Sequence, residues 1–136
     1  MLPVTLTFAG ALALVNLWLA YRTVRIRLAG KVLIGDGDNP LLRCRMRAQA
    51  NFVEYTPFIL ILIALIELSG APKGWLWGIG IVYVLARVSH AFGMDVQRMP
   101  NPMRAAGAMI TWAILLGLGL WAIWIASHAP APVHYL

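Results

Sequence analysis

Four long apolar stretches, separated by short polar connections, form the main pattern of the chain. Each stretch can supply the roughly 20 apolar residues that a helix needs to cross about 30 Å of hydrocarbon. The pattern predicts transmembrane helices at residues 3–26, 40–68, 75–97 and 102–126. We therefore expect an all-α fold, an integral membrane four-helix bundle, with residues 1–136 in a single domain.

Turn residues separate the predicted helices. Gly-Asp-Gly-Asp-Asn-Pro at 35–40 follows the first helix, and Ser-Gly-Ala-Pro-Lys-Gly at 69–74 follows the second. Asn101 and Pro102 are typical of the N-cap and first residue of a helix. Pro57 lies inside the second helix and predicts a kink there. The first helix lacks the features of a signal peptide, so we expect it in the mature protein.

Composition supports a membrane protein. The chain is 61% hydrophobic and 12% charged, with a mean hydropathy of +0.77, far from a soluble globular mixture. Its net charge of +6 could indicate nucleic acid, but the basic residues border apolar stretches, so topology explains them and we expect no nucleic-acid partner. The single Cys44 excludes an internal disulfide, and the histidines do not have metal-ligand spacing.

The basic residues predict how the chain is oriented. Seven of the eleven flank the first connection and three lie toward the third, whereas only Lys73 lies on the other side. By the positive-inside rule, the first and third connections face the cytoplasm and both termini face outward.

A polar face interrupts the second apolar stretch. Arg47, Asn51, Glu54 and Tyr55 stand at i, i+4, i+7 and i+8, on one side of a helix. Counted from Arg47, Glu54 lies roughly 10 Å into the membrane, where an ionisable group costs about 2.5 kcal/mol unless it is paired or hydrated. One interpretation is a functional site. The other is that Arg47 reaches head groups and Glu54 is neutral or paired for helix packing.

Further polar residues lie at membrane depth in the other helices. Arg87 lies roughly 21 Å from the opposite surface, close to the depth of Glu54, and is its predicted partner, in a functional or a purely structural ion pair. Asn16 predicts a hydrogen bond between helices. Arg104 opposes the dipole of the fourth helix, which indicates an anionic partner or a side chain that reaches head groups.

This set of side chains suits a small zwitterionic or anionic ligand held beside a lipophilic one. The arginines would bind carboxylates, Glu54 would bind an ammonium group, and lipid-facing grooves would take the apolar partner.

The second-helix motif resembles a known family signature. Arg47-Ala48-Gln49-x-Asn51-x-x-Glu54-Tyr55-x-Pro57 is similar to that of the MAPEG family, the membrane-associated proteins of eicosanoid and glutathione metabolism. The Gly-Asp-Gly loop and Ala86-Arg87 with His90 resemble its small bacterial members, related to microsomal glutathione transferase. The resemblance covers the whole chain and implies a bacterial inner-membrane homotrimer, with glutathione bound between subunits toward the cytoplasmic side.

The resemblance also implies roles for individual residues. Residues implied to contact glutathione, here a co-substrate, are Arg47, Gln49, Asn51, Glu54, Tyr55, Arg87 and His90. Arg104 resembles the arginine that stabilises the glutathione thiolate, the catalytic role. Met94 stands where the eicosanoid enzymes have a tyrosine, and either Arg25 or Arg27 matches an arginine near the lipophilic substrate.

The resulting prediction is a glutathione transferase or peroxidase acting on a lipophilic electrophile that enters from the membrane lipid. Two alternatives remain open. The chain could be a non-catalytic lipid-binding or scaffold protein of the same fold. It could also be a small exporter in which Glu54 exchanges protons.

Overall fold

The computed structural model describes residues 1–95 and 101–128, and this part of the chain is helical without a strand. The helices are α1 (Pro3–Ala29), α2 (Pro40–Leu68), α3 (Lys73–Asp95) and α4 (Pro102–Ser127). Each is long and apolar enough to span a membrane. The predicted all-α membrane bundle is confirmed. The predicted end of the third helix, at residues 96–97, lies outside the described residues.

Asparagine–proline pairs begin two of the helices. The Asn39 side chain accepts a hydrogen bond from the Leu42 amide at 3.1 Å at the start of α2. Asn101 accepts one from the Arg104 amide at 3.2 Å at the start of α4. In both cases a proline occupies the first turn, where its missing N–H costs nothing. These contacts confirm the predicted N-cap of the fourth helix.

The first helix is capped by the second. Glu67, in the last turn of α2, accepts hydrogen bonds from the Val4 and Thr5 amides at 3.1 and 2.8 Å and from the Thr5 hydroxyl at 2.7 Å. The first amides of a helix have no partner within it, and they favour negative charge. Glu67 therefore joins α1 to α2 at the end opposite the arginine-rich connection.

Helices α2 and α3 pack together in the middle of the bundle, with α1 against both of them on one side and α4 against both on the other. Glycines allow the closest approach. A side chain at Gly93 would meet the Arg104 backbone, and one at Gly107 would meet the Ala86 carbonyl oxygen. Large apolar residues such as Leu14, Ile61, Leu85 and Leu116 cover the outside, where lipid is the solvent.

Candidate functional site

A buried arginine joins three helices. Arg87 on α3 is 2% exposed. Its Nη2 donates to Asn51 Oδ1 on α2 at 2.8 Å, and its Nη1 donates to Thr111 Oγ1 on α4 at 3.2 Å. The Thr111 hydroxyl can accept because its own proton goes to the Gly107 carbonyl oxygen at 2.8 Å. The three side chains form one network, which orients Asn51 from the predicted polar face.

The predicted pair between Glu54 and Arg87 is wrong within one copy of the chain. Arg87 points into the bundle toward Asn51 and Thr111, whereas Glu54 is exposed on the surface of α2. Glu54 and Arg87 are at a similar depth along their helices, but depth does not fix which way each side chain points around its helix. Among the residues that the structure describes, neither forms an ion pair.

A second layer of polar contacts lies one turn further along α2. The Trp112 indole on α4 donates to Tyr55 Oη at 3.1 Å. The hydroxyls of Thr56 and Tyr83 share a hydrogen bond of 2.8 Å between α2 and α3. Tyr55, a predicted site residue, is thus held against α4 by a partner that the sequence pattern did not single out.

His90 holds the first turn of α4. Its Nδ1 lies 3.0 Å from the Arg104 carbonyl oxygen, and because a carbonyl can only accept, Nδ1 carries the proton. The Asn101 side chain accepts a hydrogen bond from the Arg104 amide. The Arg104 backbone also packs on Gly93, where no side chain would fit. The structure therefore brings His90 and Arg104 together, with His90 bound to the backbone of Arg104.

Three charged side chains of the predicted site reach the surface of the copy. Arg47 and Glu54 are exposed, and Arg104 is half-buried. In residues 1–95 and 101–128 none of their charged groups forms a hydrogen bond or ion pair. The site thus has an internally bonded part, Asn51, Arg87 and His90, and an outer part whose charges have no partner among the described residues of the same copy.

Gln49 lies on another face. It lines a groove of about 530 Å³ between α1 and α2, together with Arg27. Arg27 donates to the Met46 sulfur at 3.3 Å, whereas Arg25 lies over the Tyr21 ring at 5.8 Å. Two residues along a helix is a rotation of about 200°, so Gln49 and Asn51 point in nearly opposite directions.

Among the described residues of one copy, the predicted hydrogen bond of Asn16 to another helix is not made. Its Oδ1 is buried and has no partner among the described residues. The amide lies beside a groove of about 280 Å³ between α1 and α2, lined mainly by apolar residues. The sequence shows that Asn16 is polar at membrane depth, but not whether α2 presents a donor opposite it.

The structure also shows an ionic cluster that the sequence reading missed. Asp95, at the end of α3, binds Arg22 of α1 and Arg45 of α2, with the Arg45 Nη2 contact at 3.2 Å. Arg45 donates to the Arg22 carbonyl oxygen at 3.1 Å. From the sequence, Arg22 and Arg45 indicate only the orientation of the chain in the membrane. The available signal was Asp95 itself, a carboxylate that ends the third apolar stretch on the arginine-rich side of the membrane.

Together the fold and the buried network define a class, a four-helix integral membrane protein with a polar cluster between α2, α3 and α4. Comparison with known proteins makes this specific. The sequence model of the MAPEG family matches residues 5–124, so the chain belongs to the MAPEG family.

Curated relatives support the same assignment. The chain is 30% identical over 121 residues to the inner membrane protein YecN of Escherichia coli K12, an alignment that covers 89% of this chain and 91% of the relative. YecN of the O6:H1 strain matches equally well. The resemblance to the MAPEG family inferred from the motif is confirmed. YecN is described as an inner membrane protein, which agrees with the predicted inner-membrane location.

Proposed function

We propose that the protein is a glutathione-dependent transferase or peroxidase that acts on a lipophilic electrophile at the membrane interface. The observation that carries the proposal is the two-part site. The network of Asn51, Arg87 and Thr111 is bonded within one copy, while the charges of Arg47, Glu54 and Arg104 have no partner there among the described residues.

Glutathione complements these unpartnered charges. It carries two carboxylates, an ammonium group and a thiol. Arg47 would bind a carboxylate, and Glu54 would bind the ammonium group. A charge held at membrane depth is costly without a partner, so a zwitterionic ligand would offset the cost on both sides. Arg87 would add positive potential from behind Asn51, because no carboxylate of the described residues pairs with it.

The opposite orientation of Gln49 favours a site shared between copies. Gln49 and Arg27 line the α1–α2 groove, whereas Tyr55 faces α4. One ligand cannot contact both faces of α2 in a single copy. In the proposed homotrimer, Gln49 and Arg27 of one subunit would face the other site residues of the next. Mass spectrometry from detergent would show three copies; a stable monomer that turns over substrate would contradict the shared site.

Arg104 would supply the chemical activation. A thiol with a pKa near 8.5 is mostly protonated at neutral pH, and the thiolate is the nucleophile. The guanidinium of Arg104 and the first amides of α4 favour an anion at this place. The thiolate sulfur would form a bond to the electrophilic carbon as the leaving group departs with its electron pair, and the thiol proton would pass to water. With a peroxide, the thiolate sulfur would attack one oxygen and break the O–O bond, so that an alcohol leaves and glutathione becomes a sulfenic acid. The thiol of a second glutathione would then displace water to form the disulfide, so that two glutathiones are oxidised as the peroxide is reduced.

Titration with glutathione tests binding and activation together. Purified protein should bind glutathione and develop the ultraviolet absorbance of a thiolate near neutral pH. Arg104→Ala should retain binding but require a higher pH for the same absorbance, with about 1.4 kcal/mol lost for each pK unit. Arg43→Ala is the matched control, since Arg43 lies at the same end but binds the loop residue Asp36. Unchanged turnover of an aryl halide by Arg104→Ala would remove Arg104 from the mechanism.

One observation favours the exporter as a second candidate. Glu54 is a carboxylate at membrane depth, exposed on α2, and among the described residues it has no ion-pair partner. Efflux from vesicles that depends on a proton gradient and stops in Glu54→Gln would support that function. Glutathione binding without turnover would instead support the non-catalytic lipid-binding or scaffold protein.

A further inference from the structure

The ionic cluster at the end of α3 joins α1, α2 and α3. Asp95 binds Arg22 on α1 and Arg45 on α2. The Arg22 guanidinium lies 4.5 Å from the Trp18 ring and 5.4 Å from the Phe92 ring, and the Arg22 side chain as a whole is 9% exposed. Two guanidinium groups held by one carboxylate, with aromatic rings on one of them, form a fixed contact rather than a solvated surface pair.

The last turns of α3 also contact the first turn of α4. Gly93, two residues before Asp95, packs directly on the Arg104 backbone, and His90 donates to the Arg104 carbonyl oxygen. Arg45, which binds Asp95 from α2, is only two residues from Arg47 in the same helix. A contact between Asp95 and Arg45 therefore limits how far the Arg47 turn can move from the Arg104 turn.

We infer that Asp95 is a positioning residue, which holds the ends of α1, α2 and α3 together and so sets the separation of Arg47 and Arg104 across the site. The inference rests on the proposed function for its consequence, because these two arginines are the proposed contacts of glutathione and its thiolate. Asp95 itself needs no contact with the ligand.

The sign of the effect on glutathione binding separates positioning from simple electrostatics. Asp95→Asn removes a negative charge near the site, and charge alone would make the binding of an anionic ligand tighter. Loss of positioning makes it weaker, because a small displacement of a binding group costs about tenfold or more. We expect a dissociation constant for glutathione at least about tenfold higher in Asp95→Asn, with recovery in Asp95→Glu.

Glu67→Gln is the matched control. Glu67 also joins two helices through a carboxylate, but at the opposite end of the bundle. It should lower stability in a comparable way and leave glutathione affinity unchanged. If Asp95→Asn and Glu67→Gln weaken glutathione binding equally, Asp95 acts on stability only. If Asp95→Asn binds glutathione more tightly, Asp95 acts by charge only. Either result overturns the inference.

A distance measurement tests the positioning without glutathione. Nitroxide labels on native Cys44 of α2 and on Ala105→Cys of α4 report the separation, with labelled protein diluted into unlabelled Cys44→Ser protein. We expect a narrow distribution in the otherwise native protein and in Glu67→Gln, and a broader one in Asp95→Asn. Arg45→Gln, which leaves the Arg22 contact in place, should give intermediate broadening even if Asp95→Asn does not fold.

The two proposals can fail separately. Narrow distributions in both Asp95→Asn and Arg45→Gln would overturn the positioning role whatever the ligand is. If the native protein binds no glutathione but the distribution still broadens, the positioning role stands and the proposed function fails.

Discussion

At the scale of single residues, the buried charge of Arg87 is the feature that most depends on tertiary structure. The i, i+4, i+7 spacing on α2 was enough to predict a polar face. The partner of Arg87 was not predictable, because the spacing does not show that Asn51 faces into the bundle while Glu54 lies on the surface of α2. Thr111, the second acceptor, was missed because one threonine in an apolar helix is no signal by itself.

Thr111→Val tests how much the hydrogen bond from Arg87 to Thr111 stabilises the protein. The substitution keeps the shape of the side chain and removes a hydrogen bond to a buried charge, so we expect a loss of about 1.5–3 kcal/mol in the free energy of unfolding. Unfolding in mixed micelles, followed by circular dichroism, measures it. Thr7→Val is the control, since the Thr7 hydroxyl donates to the Pro3 carbonyl on the exposed side of α1. Equal losses would mean that Arg87 does not need Thr111.

Glu54→Gln tests the proposed ammonium contact. The exposed carboxylate has no partner in the described part of the same copy, so its neutral form should leave the fold intact. The affinity for glutathione should fall about tenfold or more, equivalent to about 1.4 kcal/mol or more. Calorimetry with glutathione and with an analogue lacking the amino group gives the comparison. If Glu54→Gln weakens both ligands equally, Glu54 does not bind the ammonium group.

At the scale of elements, the number of helices and most of their ends followed from the sequence. Apolar length predicted the four spans, and Asn–Pro pairs predicted where two of them begin. The end of α1 was less predictable. It continues to Ala29, past the predicted residue 26, because Arg25 and Arg27 are good helix formers and nothing stops the helix before Gly30. The Glu67 cap was not predictable either, since it needs the far end of α2.

Gly93→Ala tests the contact between α3 and α4. A Cβ there would lie 2.4 Å from the Arg104 nitrogen and 2.8 Å from its Cα, and backbone atoms cannot move aside as a side chain can. The helices must separate, so we expect lower stability and a loosened first turn of α4, despite the higher helix propensity of alanine. Gly117→Ala, with no atom within 4 Å of its Cβ, is the control and should be neutral or stabilising by up to about 1 kcal/mol. Equal thermal midpoints would contradict the close contact.

The first connection should respond to acid. The hydrogen bond from Arg43 lowers the pKa of Asp36 below its ordinary value, helped by the Asp38 amide at 3.1 Å. A lowered pKa in the folded state means that the stabilisation is complete above the ordinary value, about 3.9, and is lost as the pH falls through the folded value. The protection factors of the amides of residues 30–39, which correct for the intrinsic pH dependence of exchange, should therefore fall below about pH 4, while Asp36→Asn should give low protection factors at every pH. A loop in the native protein that stays protected at low pH would show that this pair does not order it.

At the scale of the whole molecule, the distribution of charge predicts the orientation. The arginine-rich first connection and the Asp95 cluster lie at one end of the bundle, and Lys73 lies at the other. The asymmetry should place the first end in the cytoplasm. In inside-out vesicles, a membrane-impermeant maleimide should label native Cys44 readily, and in whole spheroplasts it should label Ser127→Cys in a Cys44→Ser background. The reverse pattern would mean that the chain is inverted.

The Glu67 cap has a consequence for how the chain enters the membrane. The amides of Val4 and Thr5 obtain their partner from Glu67, which lies 63 and 62 positions later, so the first span cannot reach its final state until the second has crossed. Helices α1 and α2 should therefore leave the insertion machinery as a hairpin. In a folding intermediate that contains α1 alone, the first amides of that helix would lack their Glu67 acceptor at the bilayer surface until α2 is inserted.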